Sequence, residues 1–475
     1  MNVLLVQPPD PIRPVPPVGT AAGHNLLFAP PWNLLCLRTY LQERTRHICT
    51  FVDCRTFQDL ETELVAAVKA VAEPRILVVN SSCEEIGETV AVLEITKRVF
   101  PSIKTVLFGS YPSSHPSQVL SIPRVDFALA GDPEPILRNL LDYLDVEQRL
   151  RRIPGLVFQG GQTSESYWLP DLKGLSLADW QGVFWGAYRA DLTESVIRAE
   201  VRVSRGHSHT PSDRAFGGYQ EPLRFWPMDR LATRFQKCAG SGISEVFLTD
   251  PPGIWTADRL AAWCSALSQV NNSQPWGLQL LPAHLTEEQA RALSSALCRR
   301  VVFLVPSCHE DRLKKYGCLV SPRELTATVS LLQDFRIEVE VHFWAGGPEE
   351  EKTDIRRVVD IVRALNFCPY RVEPFPFSLD SPLARDLDQK TTFPRLEDWI
   401  HWSRDPWTVE RPVPLWNGKQ GIATLSAELQ QIQSAVTRHP KRLFQKLAGR
   451  FNARKWIAYL EEKALGLMPS TTPRD

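Results

Sequence analysis

The feature that most constrains the fold of this chain is a repeated exchange between short, β-branched apolar runs and longer runs with helical apolar spacing. Residues 2–7 (NVLLVQ), 48–53 (ICTFVD), 75–80 (RILVVN), 105–109 (TVLFG) and 127–130 (FALA) read as strands. Between them, 32–42, 62–72, 88–99 and 135–144 have the spacing of helices. Continuous apolar strands are buried on both faces, and strand–helix alternation joins them in parallel. The first part is therefore expected to be a doubly wound parallel sheet. Ligands of such sheets sit beyond the carboxyl ends of the strands.

A second alternation starts near residue 196. Strand-like runs fall at 199–203, 245–248, 277–280, 301–305, 338–343 and 371–374, with helical runs at 229–240, 257–269, 286–298, 321–333 and 350–365. This pattern implies a partial β/α barrel. Residues 159–175 are rich in Gly and Ser and read as hairpin and linker, and the tail beyond 393 carries helical runs at 423–436 and 440–464. The expected organisation is an α/β domain over 1–150, a linker over 151–195, the barrel over 196–395 and a helical extension over 396–475, with 468–475 disordered.

Charge and cysteine content exclude several classes. Lys plus Arg and Asp plus Glu are both 54, so no net field draws the chain to nucleic acid or anionic lipid. The opening apolar run stops at Pro8 and Pro9, too short for a secretory signal, and no apolar stretch reaches membrane-spanning length. The ten cysteines are scattered without any C-x-x-C pair, which argues against a zinc ribbon and for reduced thiols in a cytoplasmic protein.

Several stretches, in order, carry a family resemblance. They are VLLVQPP at the start, PPWNLLCLRTYLQ at 30–42, VLFGSYPSSHP at 106–116, AGDPEPIL at 130–137 and IPGLVF at 153–158. VSRG at 203–206, FGGYQEPLRFWPMDRL at 216–231, ISEVFLTD at 243–250, SCHEDRLKKYG at 307–317 and WAGGPEEEKTD at 344–354 follow. Over roughly residues 1–395 the chain resembles the cobalamin-binding radical-SAM proteins, in which a cobalamin-binding domain precedes a partial barrel. That resemblance implies cobalamin and S-adenosylmethionine as cofactors.

The same resemblance exposes a departure. The family places C-x-x-x-C-x-x-C directly after S-R-G, and those three thiolates hold a four-iron cluster. Here the positions are His207, Pro211 and Arg214, and the next cysteine, Cys238, lies in a helical run. Proline and arginine do not ligate iron, so a 4Fe-4S cluster and reductive cleavage of S-adenosylmethionine are not expected. His207, His209 and Asp213 form an alternative set for a divalent metal, set against the plainer reading of a solvated polar loop.

The resemblance assigns cobalamin contacts to Ser81, Ser82, Gly109, Ser110, Tyr111 and Gly131, at the ends of the third to fifth strands. Ordinary βα turns need the same residues. It assigns S-adenosylmethionine contacts to Asp250, Gly346 and Gly347, while Pro306 replaces an expected acidic residue. Asp132 and Glu134 read either as site carboxylates or, more simply, as loop charges. Trp226, Trp255, Trp276 and Trp344 either wall a planar ligand or belong to the core. Three functions stay open: cobalamin-dependent methyl transfer without radical chemistry, a non-catalytic scaffold or regulatory partner of an intact radical-SAM protein, and a cobalamin sensor. No sequence feature names the substrate.

Overall fold

The computed structural model describes residues 1–10, 18–19, 29–73, 75–161, 165–188, 197–207, 221–239, 242–316, 318, 320–345, 347, 350, 352–365, 368–375 and 427–431. The expected extension over 396–475 and the residues Pro211, Arg214, His209, Asp213 and Gly346 lie outside these, apart from 427–431.

Two sheets organise the chain. The first contains β1 (Asn2–Gln7), β3 (Ile48–Asp53), β4 (Arg75–Asn80), β5 (Lys104–Phe108), β6 (Phe127–Leu129) and β7 (Leu156–Phe158) in the order β3-β1-β4-β5-β6-β7. All its ladders are parallel except β6 with β7. The strand order reverses at β1, so helices cover both faces. Val3, Leu5, Ile76 and Val78 enter one apolar cluster with α1 (Trp32–Arg44) and α5 (Pro133–Tyr143). Leu4, Val6, Leu77 and Val79 enter the other with α2 (Leu60–Lys69) and α3 (Ile86–Val99). The period-two pattern thus sends alternate residues to opposite helical layers. The short α4 (Ser110–Ser114) follows β5.

The second sheet has six parallel strands in chain order: β8 (Arg198–Val201), β11 (Glu245–Leu248), β12 (Trp276–Leu280), β13 (Cys298–Val305), β14 (Glu338–Ala345) and β15 (Tyr370–Pro374). Sequential order with intervening helices is that of a partial β/α barrel wall. Among the described residues no ladder joins β8 to the far edge. That edge carries an antiparallel strand from the amino-terminal part, β2 (Val18–Gly19), which the sequence reading lacks. Between β8 and β11 in the chain, β9 (Ser204–Arg205) and β10 (Arg224–Phe225) pair antiparallel over two residues each.

The sheets share one apolar cluster, which runs from the α1/α5 side of the first to the second. The tryptophans 226, 255, 276 and 344 belong to it and are buried. The 171–188 segment lies over α1: Arg38 donates to the carbonyls of Asp179 and Gln181 at 2.5 and 2.9 Å, and Arg44 to that of Gly174 at 2.7 Å. Among the described residues no helix is long and apolar enough to cross a membrane.

Candidate functional site

A cavity of about 470 Å³ opens where the carboxyl ends of β4, β5 and β6 meet the β9 strand. This is within the range of small-molecule sites. Its wall is polar: Asn33, Asn80, Ser82, Ser110 and Ser113 come from the first unit, and Arg202, Ser204 and His207 from the second.

Three glycines border it with backbones that side chains rarely adopt. Gly109 has φ 118° and ψ −160°, a region essentially confined to glycine. A Cβ there would come within 2.6 Å of the Ser81 carbonyl. A Cβ on Gly131 (φ 115°) would lie 2.0 Å from the Tyr167 carbonyl, and one on Gly206 (φ 85°) 2.2 Å from that of Pro222. Close backbone passage, rather than loop flexibility, requires these residues.

Of the six residues assigned to cobalamin, Ser82, Gly109, Ser110 and Gly131 line the cavity. Ser81 and Tyr111 do not. Side chains alternate along an extended backbone, so Ser81 turns inward where Ser82 turns out. It is fully buried, its hydroxyl accepting from Thr89 at 3.3 Å. Tyr111 lies on the single turn of α4, which packs its ring into the apolar cluster against His115, 5.2 Å between centroids. Trp32 is likewise buried and leaves the cavity clear.

Asp250, expected to meet S-adenosylmethionine, is committed elsewhere. It accepts from the Val203 and Ser204 amides at 2.8 Å each and from the Ser204 hydroxyl at 2.7 Å. Burial pushes its carboxyl up to about 6, and these hydrogen bonds oppose that rise. It therefore shapes the VSRG turn. Gly347 sits against the Phe375 ring, 3.0 Å from where a Cβ would stand, and its amide donates to Glu350.

The reading of Asp132 and Glu134 as loop charges is wrong. Both are buried, and they bind the two units together. Arg205 of the VSRG stretch donates to Glu134 through both terminal nitrogens, at 2.5 and 2.9 Å. Arg224 donates to Asp132 at 2.5 and 3.2 Å, and Asp132 lies 3.5 Å from Arg205. Burial alone would lower the Arg205 pKa; the charge and hydrogen bonds of Glu134 hold it well above the usual value. Arg205 also lies over the Trp226 ring at 5.5 Å. Sequence alone could not pair residues 71 and 92 positions apart.

Two further polar groupings escaped the sequence reading. Beneath the cavity, Asn80 donates to Gln7, Gln7 to Glu85, and Ser82 to Glu85, at 2.9, 2.9 and 3.0 Å. On the second sheet, Arg198, Glu245, Arg300, Glu340, His342 and Glu373 share one face by register. His342 meets Glu340 at 2.6 Å, Arg198 meets Glu245 at 2.8 Å and Arg300 reaches Glu338 at 2.9 Å. Burial would raise Glu340, but His342, Arg300 and Arg371 bring it below the usual carboxylate value. The strand sequence EVEVHFW, alternating polar and apolar, signals that polar face.

All ten cysteines are described, and all are buried and outside disulfides. Burial pushes the thiols of Cys36, Cys49, Cys238 and Cys318 up to about 12 and that of Cys264 to about 11. Among the described residues no three His, Cys, Asp or Glu side chains converge as metal ligands. His207 borders the cavity, its amide donating to the Glu221 carbonyl at 3.3 Å, while His209 and Asp213 of the alternative metal set lie outside the described residues.

No family model and no curated protein sequence matches the chain. Solved structures do. The radical S-adenosylmethionine methyltransferase TsrM from Kitasatospora setae, with tryptophan substrate and the SAM analogue aza-SAM bound, superimposes with TM-score 0.67 at 15% identity, covering 98% of this chain and 99% of that one. TsrM with cobalamin and a [4Fe-4S] cluster bound gives 0.61 at 17%, covering 81% and 74%. The cobalamin-dependent S-adenosylmethionine radical enzyme OxsB, with aqua-cobalamin and S-adenosylmethionine bound, gives 0.57 at 13%, covering 92% and 61%. Such likeness establishes the fold, which is that of the cobalamin-dependent radical-SAM enzymes.

Proposed function

We propose that this chain is a B12-binding, radical-SAM-like protein that takes cobalamin into the cavity between the first sheet and the VSRG strand. The observation that carries the proposal is the glycine-bordered cavity at the carboxyl edge of a doubly wound sheet, in a fold shared with TsrM and OxsB. Cobalamin, when bound, supplies a cobalt centre able to carry a methyl group, and methyl transfer of this kind is the reaction class the reading favours. Within it, Asn33, Asn80, Ser82 and Ser110 would meet the corrinoid's polar rim. Gly109, Gly131 and Gly206 would bring backbone within reach. The Arg205–Glu134 and Arg224–Asp132 pairs hold the two walls together. The division into a cobalamin-binding unit, a linker, a radical-SAM-type unit and a carboxyl-terminal extension belongs to the same proposal.

The residues do not fit a conventional iron–sulfur cluster. Thiolates are its ligands, and the three family positions hold His207, Pro211 and Arg214. The buried cysteines, with pKa values pushed upward, supply no substitute set. Asp250, whose carboxylate is taken up by Val203 and Ser204, offers none to S-adenosylmethionine.

The replacement of all three cluster positions together favours a second reading, a non-catalytic scaffold or regulatory partner of an intact radical-SAM enzyme. Anaerobic purification with visible spectroscopy and iron analysis, followed by hydroxocobalamin titration, separates the two. Corrin bands without iron support cobalamin binding alone. About four iron atoms per chain would overturn the reading of the motif. Absence of a co-eluting corrinoid at tens of micromolar would leave the scaffold reading.

A further inference from the structure

We propose that Gln7 and Glu85, neither of which borders the cavity, fix its floor as a pair of hydrogen-bond acceptors and thereby select an occupant presenting N–H groups there. For a corrinoid these are the primary carboxamides of its rim, preferred over the carboxylates left when such amides are hydrolysed. The inference rests on the reading that the cavity holds a corrinoid.

An ionised carboxylate can only accept hydrogen bonds, so Glu85 gives the network its direction. One oxygen accepts from the Gln7 amide nitrogen at 2.9 Å. Gln7 must then present its own oxygen to Asn80, whose nitrogen donates to it at 2.9 Å. With one face of the Asn80 amide so committed, its oxygen is turned towards Gly109. A Cβ at residue 109 would stand 2.8 Å from that oxygen, so the absent side chain is what leaves it open to the cavity.

The second Glu85 oxygen accepts from the Ser82 hydroxyl at 3.0 Å, while the Glu85 amide donates to the same hydroxyl oxygen at 3.2 Å. A hydroxyl has one proton and two lone pairs. Ser82 therefore offers the cavity a lone pair. An isolated amide can be turned over without cost, but a chain ending on a carboxylate cannot, because reversal sets donor against donor. A carboxylate occupant would face two acceptors and leave them unpaired.

The same geometry makes the floor sensitive to pH. Burial pushes the Glu85 carboxyl up to about 7, with Glu84 and Asp10 adding to the rise and Ser82 and Arg55 opposing it. Arg55 is itself held by Asp53 at 2.6 Å. Below that pH Glu85 carries a proton it can donate to Ser82, whose own proton then turns towards the cavity.

The test compares binding of hydroxocobalamin with that of its side-chain monocarboxylic acids, using the full chain at pH 8 and pH 6. At pH 8 the amide form should bind about tenfold more tightly, the worth of one well-placed hydrogen bond. The preference should shrink to about twofold in Glu85→Gln, and in the wild type at pH 6. Gln7→Leu alters no charge yet breaks the path to Asn80, and it should lose preference too; circular dichroism establishes that each variant is folded. If the wild type prefers the amide form equally at both pH values, or if Gln7→Leu discriminates like the wild type, the inference is overturned while the cobalamin reading stands. If the wild type binds neither form, the cobalamin reading fails and takes this inference with it.

Discussion

Removing Glu134 tests whether the charges at the VSRG strand fasten the two units together. Its carboxylate is fully buried and Arg205 is only 8% exposed, so the pair is screened from solvent. Truncating one member of a buried, bidentate pair leaves an uncompensated charge, at a cost of about 3–5 kcal/mol. Asp132, 3.5 Å from Arg205, compensates part of that charge, which places Glu134→Ala at about 3 kcal/mol, the lower end. With a urea slope of about 3 kcal/mol per molar, the unfolding midpoint should fall by about 1 M. Tryptophan fluorescence is a suitable probe, because Arg205 lies over Trp226. The double variant Glu134→Leu with Arg205→Met buries no charge and should recover most of the loss. A cost below about 1 kcal/mol for Glu134→Ala would match a solvated surface pair and refute the reasoning.

Other outcomes follow from the same geometry. Gly109→Ala and Gly131→Ala should each destabilise by at least about 2 kcal/mol, because backbone conformation and collision with a carbonyl act together; thermal unfolding measures this. Asp250→Asn should lower stability by about 1–3 kcal/mol, since its amide nitrogen would face a buried N–H. The folded Asp250 carboxyl is raised to about 6 from 3.8, so its contribution to stability is complete below about pH 4 and is lost as the pH rises to about 6. The variant should flatten that slope in urea titrations across this window. Native protein at pH 8 should react slowly with a thiol reagent at every cysteine, and a fast-reacting thiol would contradict their burial.

The parallel strands of both sheets were legible because their apolar, β-branched runs serve a sheet covered on both faces, whereas the short antiparallel edge strands β2 and β7 were not. The cavity's glycines and Ser82 were legible as strand-end residues, by analogy with the resembled family. The failures share a cause, since each depends on a partner distant in sequence or on a local turn. Asp132 and Glu134 look like solvated charges until Arg205 and Arg224 are brought beside them. Ser81 and Ser82 are adjacent and chemically identical, and only strand direction tells which faces outward. Tyr111 does not reach the cavity because one helical turn sets its ring on the other side. Gln7 reads as the last residue of a strand, and only the fold sets it between Asn80 and Glu85. The strand β2 is two residues long and carries no periodicity to detect.

That small strand has a consequence for how the chain can come together. Val18 and Gly19 pair with Val372 and Arg371, so they wait for roughly 350 further residues to be synthesised before their partner exists. The first sheet can assemble as soon as its own strands have emerged, whereas the outer edge of the second closes only after β15 has emerged. Until β15 emerges and β2 pairs with it, the growing edge of the second sheet exposes unpaired backbone groups, an invitation to pairing between nascent chains. A fragment beginning at residue 196 would keep that edge open permanently. Expressed alone, such a fragment should self-associate, and a peptide carrying Val18 and Gly19 supplied in trans should suppress it.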